Sequence, residues 1–73
     1  MTLNQVPVGS AARLADTSAH PGRGRLAALG LRPGAEVAVL RRTSGGGRLL
    51  GVGPSRFAVD RATLDALVVE PPA

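Results

Sequence analysis

The sequence predicts a mainly β fold, a small barrel of about five antiparallel strands with one short inserted helix and a final single helical turn. Three observations support this prediction. Short segments that alternate apolar and polar residues are divided by turns containing glycine and proline. A helical segment stops at a glycine, and a tight turn then leads directly into a hairpin, which leaves no crossover for a parallel sheet. The 73 residues are 44% hydrophobic with a single aromatic, which favours one small core of Val, Leu and Ala.

The first part of the chain is predicted to hold a leader, one strand and a loop. The leader runs from Leu3 to Gly9 and ends in a Pro-Val-Gly turn. The strand covers Ala11–Ser18, where Ala12 and Leu14 alternate with neighbours that suit a solvated face. The following loop, His20–Gly24, contains one proline and two glycines, which break the strand pattern before the helix.

The next segment predicts a helix that closes into a turn. The helix is expected over Arg25–Leu29, and Gly30 can adopt the left-handed conformation that ends it. Leu31 is then placed to fold back onto the last helical turn. Pro33 and Gly34 fit the two central positions of a type II turn, because proline fixes φ at the first and glycine supplies the positive φ of the second.

A hairpin is predicted to follow. Its outgoing strand covers Ala35–Arg42, with Val37 and Val39 on one face. The tip, Thr43–Gly47, contains three consecutive glycines and is expected to be the most flexible internal segment. The return strand, Arg48–Gly53, is expected to pair antiparallel with the outgoing one.

The last part of the chain predicts two short strands around a helical turn. Arg56–Val59 forms the fourth strand, and Asp60 is placed to cap a single turn that extends through Leu64. The fifth strand, Leu67–Glu70, is stopped by Pro71 and Pro72. Together with the inserted helix, this order of elements favours a small SH3-like barrel. We expect one domain with its core between about residues 8 and 70 and a tail at 71–73.

The composition excludes several classes of function. Without cysteine there is no disulfide, no thiol nucleophile and no thiolate metal site. No basic leader precedes an apolar stretch, and no stretch reaches the roughly 18 apolar residues of a membrane span, so we expect a cytoplasmic protein. Nine arginines against five acidic residues give a net charge of +4. That charge indicates a solvated surface, an acidic protein partner or a nucleic acid.

The motifs that could carry chemistry are weak. Residues 22–27 match the glycine-rich dinucleotide pattern, but the parallel βαβ unit that this pattern needs is missing. His20, the only histidine, is interpreted as an exposed loop residue that could offer a metal one nitrogen ligand. The serines have no convincing base partner. We therefore predict no catalytic residue, no metal site and no cofactor.

The segment from Arg25 to Gly34 reads R-L-x-x-L-G-L-x-P-G and resembles the FeoA family, in which this phrase is the most recognisable. The order and lengths of the other elements agree with that family over roughly residues 8 to 70. In place of a proline-bracketed tip, this chain has Thr43–Gly47. The resemblance implies an SH3-like barrel and a non-enzymatic accessory role in ferrous iron uptake, in which the protein docks on the cytosolic GTPase region of the FeoB permease.

Two groups of residues are candidates for the partner surface. Arg25 and Leu29 would form an apolar and cationic patch at the helix end. Arg41, Arg42 and Arg48 flank the glycine tip and could form a second, electrostatic edge, or simply protect an edge strand from unwanted pairing.

Several alternatives stay open at the level of sequence. A small basic barrel could bind nucleic acid through phosphates, although the lack of aromatic residues disfavours it. A metal-responsive regulatory role is a further alternative, and direct ferrous iron binding is disfavoured by the single histidine. Exposed strand edges would also permit weak self-association. No small-molecule substrate is expected.

Overall fold

The structure, a computed structural model, describes residues 1–70. Its strands and helices are, in chain order, β1 (Ala11–Asp16), α1 (Arg23–Ala28), β2 (Glu36–Arg42), β3 (Arg48–Val52), β4 (Ser55–Val59), α2 (Arg61–Ala66) and β5 (Val68–Val69). A short 3-10 helix covers Leu3–Gln5, and residues 44–46 form a tight turn between β2 and β3. The five strands form one antiparallel sheet in the order β4-β3-β2-β1-β5, which confirms the predicted fold class. The predicted proline stop and tail at 71–73 lie outside the described residues.

One apolar core lies on the inner face of this sheet. The predicted inward positions of β1 and β2 are confirmed, since Leu14, Val37 and Val39 are all buried. Phe57 and Val59 of β4 pack against the same core and are half-buried, so they point the same way, as expected. The buried apolar side chains are Leu3, Val6, Leu14, Leu26, Leu31, Val37, Val39, Leu50, Leu64, Leu67 and Val69.

The N-terminal residues belong to this core, in contrast to the predicted leader and to the predicted start of the core near residue 8. Leu3 and Val6 are buried because three residues make one turn of a 3-10 helix, which places both on the same side. The Leu3 N–H donates to the Leu67 carbonyl at 2.8 Å, and the Val69 N–H donates to the Met1 carbonyl at 2.9 Å. Residues 1–3 thus extend the sheet beyond β5.

The boundaries of the elements differ from the predicted ones by one or two residues. β1 ends at Asp16 rather than Ser18, because the Asp16 carboxylate accepts a hydrogen bond from the Ser18 N–H at 2.8 Å and turns the chain. α1 begins at Arg23, two residues earlier than expected. α2 continues to Ala66, so it is longer than the predicted single turn.

The end of α1 has the hydrogen bonds of a Schellman motif. The Gly30 N–H donates to the Ala27 carbonyl at 3.0 Å, and the Leu31 N–H donates to the Leu26 carbonyl at 2.9 Å. Gly30 has φ of +97°, and Leu31 is fully buried beside Leu26 in the core. The predicted helix stop, including the return of Leu31 onto the last turn, is confirmed.

The turn after this motif fixes β2 against β1. The Ala35 N–H donates to the Arg32 carbonyl at 3.0 Å, and Gly34 has φ of +92°, as a type II turn requires. The Gly34 N–H donates to the Leu14 carbonyl at 2.7 Å, and the Leu14 N–H donates to the Ala35 carbonyl at 2.8 Å. The turn therefore sets the register in which the first two strands pair.

Two glycines of the same helical region should respond differently to alanine. Gly30→Ala is expected to lower the free energy of unfolding by about 1–2 kcal/mol, because an alanine at positive φ is strained. Its Cβ would also lie 3.1 Å from Cγ1 of Val52. Gly24→Ala should leave stability unchanged or raise it by up to about 1 kcal/mol, since Gly24 lies within α1 and its Cβ would meet no atom within 4 Å.

Urea unfolding of both variants and of the unchanged protein measures this difference. A Gly30→Ala variant as stable as Gly24→Ala would contradict the role assigned to Gly30.

Candidate functional site

The first pair of predicted partner residues lies together at the end of α1. Arg25 is exposed in the last helical turn, and Leu29, the C-cap residue, is 47% exposed. Residues four apart are neighbours on a helix surface. An apolar and a cationic side chain therefore share one patch of surface, and the Schellman motif holds the backbone beneath them.

The three arginines of the predicted second edge do not all lie on the same face of the hairpin. The β2–β3 register shifts between Val39 and Arg41, so Arg41 pairs with Leu49 and Arg42 pairs with Arg48. Arg42 and Arg48 therefore share one face of the hairpin, and the side chain of Arg41 points to the other face. β2 and β3 also lie inside the sheet order, which excludes protection of an edge strand as the reason for these charges.

Arg48 has a structural contact that the sequence did not predict. It is half-buried, and its Nη1 donates a hydrogen bond to the Val6 carbonyl. This bond ties β3 to the N-terminal segment. Arg48 is thus held by the N-terminal segment, and Arg42, its partner in the β2–β3 ladder, is exposed.

A cleft of about 340 Å³ opens beside these two arginines, where the hairpin tip meets α2 and the N-terminal 3-10 helix. The lining residues are Asn4, Arg42, Thr43, Gly46, Gly47, Arg48 and Arg61, and we call this site the arginine cleft. Arg61 was not predicted as part of any site. A Cβ on Gly46 would lie 3.4 Å from Cδ of Arg61, which is an ordinary contact distance, so the Arg61 side chain lies beside the hairpin tip.

The glycine tip is a tight turn in which Gly45 and Gly46 have φ of +75° and +84°, and it is closed by a hydrogen bond from the Thr43 N–H to the Gly47 carbonyl at 3.0 Å. Gly47 is buried, and a Cβ there would lie 2.5 Å from the Val59 carbonyl oxygen. The close approach of two backbones explains why the turn ends in glycine. The expected flexibility of the tip stays a prediction.

His20 is not the exposed loop residue that the sequence suggested. It is half-buried, and its Nδ1 accepts a hydrogen bond from the Gly22 N–H at 2.9 Å. The neutral ring therefore carries its proton on Nε2, which lies 3.1 Å from Oγ1 of Thr63 and donates to it. The Thr63 N–H in turn donates to the carboxylate of Asp60 at 3.2 Å, which confirms Asp60 as the N-cap of α2.

This network connects the loop before α1 to the start of α2. Nothing in the local sequence marks it, because His20 and Thr63 are 43 positions apart. Both ring nitrogens of His20 are occupied by hydrogen bonds within the protein. The His20 side chain thus connects the loop before α1 to the first turn of α2.

Residues 1–70 contain no group of three or more His, Cys, Asp or Glu side chains that could hold a metal ion. Within the same residues, no helix is both long and apolar enough to cross a membrane.

Hydrogen bonds lower the pKa values of two carboxylates, Asp60 and Asp16. The pKa of Asp60 lies below the ordinary value of 3.8, chiefly because the side chain and then the backbone N–H of Thr63 donate to it, with a smaller contribution from the charge of His20. The pKa of Asp16 is also lowered, first by the Ser18 N–H, then by the Ser18 side chain, and to a smaller extent by the charge of Arg23.

These lowered pKa values predict the acid response of the fold. Each carboxylate stabilises the folded state at pH above its unfolded value of 3.8, and this contribution is lost as the pH falls through the lower folded value. We expect Asp60→Asn to keep the cap at neutral pH, since asparagine caps as well as aspartate. Its melting temperature should fall less between about pH 5 and about pH 2 than that of the unchanged protein.

Thermal unfolding across this pH range measures the slope of the melting temperature against pH. Asp60→Ala is the matched variant, and it should be less stable at neutral pH because the cap is lost. Equal slopes for Asp60→Asn and the unchanged protein would contradict the role of the carboxylate.

The fold and surface described above define the class of protein: a small SH3-like domain with a basic, arginine-rich exterior. The sequence matches the FeoA domain family over residues 1–71. The chain belongs to the FeoA family, a family of small accessory proteins of iron transport, as the resemblance of residues 25–34 indicated.

Three solved structures show the same fold. FeoA from Stenotrophomonas maltophilia, solved in complex with zinc, is 32% identical to this chain. The match covers 96% of this chain and 89% of that one, with a TM-score of 0.76. That protein is described as an SH3 domain protein, and a role as a bacterial ferrous iron transport activating factor has been suggested for it. An iron uptake regulatory protein (FeoA) is 26% identical, with coverages of 94% and 92% and a TM-score of 0.81. FeoA from Chlorobium tepidum is 28% identical, with coverages of 100% and 71% and a TM-score of 0.88. No curated protein sequence matches the chain.

Proposed function

We propose that this protein is a non-enzymatic cytoplasmic module that regulates ferrous iron uptake by docking on the cytosolic GTPase region of the FeoB permease. The observation that carries the proposal is membership of the FeoA family across almost the whole sequence. The suggested role of the Stenotrophomonas relative as an activating factor for ferrous iron transport agrees with it. A domain of this size has little interior to offer a substrate, so its surface is what can act.

The lack of an enzymatic role is supported by how the polar residues are used. His20, the one histidine, has both ring nitrogens engaged by Gly22 and Thr63. The arginine cleft is lined by guanidinium groups, an amide and a hydroxyl, which bind and orient but do not supply a general base at neutral pH. The hydroxyl of Thr63 lies beside His20 but accepts a hydrogen bond from its Nε2, so the ring is not placed to act as a base toward it.

The patch formed by Arg25 and Leu29 is the docking surface we favour. Among residues 1–70, Leu29 is one of five large apolar side chains that are substantially exposed, and it has an arginine one helical turn away. Arginine beside an exposed apolar side chain is a combination typical of residues that dominate binding energy. The hydrogen bonds of the Schellman motif fix the patch before a partner arrives, which lowers the entropy lost on binding.

The net charge of +4 favours an acidic partner surface. Complementary charge speeds encounter and suppresses wrong partners more than it raises affinity. We therefore expect Leu29 to contribute mainly to the lifetime of the complex and Arg25 to the rate and the salt dependence of association.

Substitution of the patch should weaken binding to the cytosolic part of FeoB. We expect Leu29→Ser and Arg25→Glu each to raise the Kd by about tenfold or more, which corresponds to about 1.4 kcal/mol or more. Val8→Ser and Arg56→Glu are the matched controls, since Val8 is 43% exposed and Arg56 is an exposed arginine of β4. Neither control should change the Kd more than about twofold. Isothermal titration calorimetry measures all five proteins.

Two results would overturn the proposal. The first is the absence of heat or retention with the cytosolic part of FeoB at high micromolar concentration. The second is salt-resistant binding of oligonucleotides by the protein alone, which would favour the nucleic-acid alternative. Equal losses of affinity in the patch variants and the controls would refute Arg25 and Leu29 as the docking surface. They would not contradict FeoB as the partner.

A further inference from the structure

Three arginines line the arginine cleft, two from the β2–β3 hairpin and one from α2. Arg42 comes from the end of β2, Arg48 from the start of β3 and Arg61 from the first turn of α2. We propose that this cleft binds the phosphate group of a small molecule, either inorganic phosphate or a phosphate monoester. This site is separate from the Arg25 and Leu29 patch, and the proposal does not depend on docking to FeoB.

The pairing of Arg42 with Arg48 supports an anion site. Arg42 and Arg48 are directly opposite each other in the β2–β3 ladder, and like charges in this position destabilise a sheet. Arg48 is held in this position by its hydrogen bond to the Val6 carbonyl. A local arrangement that costs stability is typical of a functional site.

The charge balance is the second argument. Among residues 1–70, neither Arg42 nor Arg48 forms an ion pair with a carboxylate. Arg61 lies 3.9 Å from Asp65, whose carboxylate also accepts a hydrogen bond from the Asn4 side-chain amide at 2.9 Å. Among the described residues, the three arginines of the cleft therefore have one carboxylate partner, Asp65, and it pairs only with Arg61. A dianion would neutralise the charge that this arrangement leaves unbalanced.

The form of the cleft is the third argument. Guanidinium groups present a rigid fork of donors that matches the oxygens of phosphate, and a phosphate accepts from several donors at once. Asn4 and Thr43 add an amide and a hydroxyl to the lining. The volume of about 340 Å³ is at the small end of ligand pockets, which favours a compact phosphate compound over a large one.

Titration of the protein alone with inorganic phosphate tests the site. We expect saturable binding, followed by amide chemical shifts in NMR spectra, with the changes centred on residues 42–48 and on the start of α2. Arg42→Gln and Arg61→Gln should each weaken binding by about tenfold or more, since each removes a charge-assisted hydrogen bond. Arg32→Gln is the control, because Arg32 is exposed in the turn before β2 and does not line the cleft.

Arg48 is left unchanged in this test because its contact with Val6 supports the fold. Sodium chloride at matched ionic strength separates specific binding from screening of surface charge. Titration with glycerol 3-phosphate separates the two sources of phosphate: tighter binding than inorganic phosphate assigns the site to a monoester, and weaker binding assigns it to the free ion. Either result supports a phosphate site.

Two outcomes would overturn the proposal. One is the lack of saturation at millimolar phosphate. The other is an equal response in Arg42→Gln, Arg61→Gln and Arg32→Gln, which would mean that phosphate acts on the net charge of the protein. Failure of FeoB docking would leave these results untouched, because the titration contains no partner.

Discussion

The closure of α1 onto the core is the constraint on which the rest of the structure depends. Leu26 and Leu31 are buried together, and the backbone between them must reverse within five residues. Gly30 makes that reversal, and the next turn then hydrogen-bonds to Leu14 on β1. The same few residues thus place the helix, start β2 and set its pairing. The exposed face of this closure carries Arg25 and Leu29, so the proposed docking patch is a direct product of the step that organises the sheet.

A second consequence of the topology is the crowding of arginines at one end of the sheet. The shift in register after Val39 brings Arg42 opposite Arg48, and the side chain of Arg61 lies beside Gly46 at the hairpin tip. Bulges in antiparallel sheets commonly redirect a side chain near a functional site. The chain therefore has two surfaces of different character: an apolar and cationic patch at the helix end, and an arginine-lined cleft beside the hairpin.

The features that the sequence predicted well depend on neighbours along the chain. The Gly30 stop, the type II turn at Pro33 and Gly34 and the Asp60 cap each need only local backbone geometry and a nearby donor. The features that it missed join distant parts of the chain. Burial of Leu3, the contact of Arg48 with Val6, 42 positions away, and the approach of Arg61 to the hairpin tip all require the complete fold. Candidate docking residues could be proposed from chemistry, but the cleft could not, because its three arginines belong to different elements.

The hydrogen bonds between residues 1–3 and β5 have a consequence for how the chain is made. Leu3 and Met1 pair with Leu67 and Val69, so partners in this part of the sheet are separated by almost the whole described sequence. Contacts between such distant positions can form only after the large entropy cost of closing the intervening chain has been met. During synthesis on the ribosome, residues 1–3 therefore stay unpaired until β5 has emerged from the exit tunnel, and this side of the barrel closes only after that.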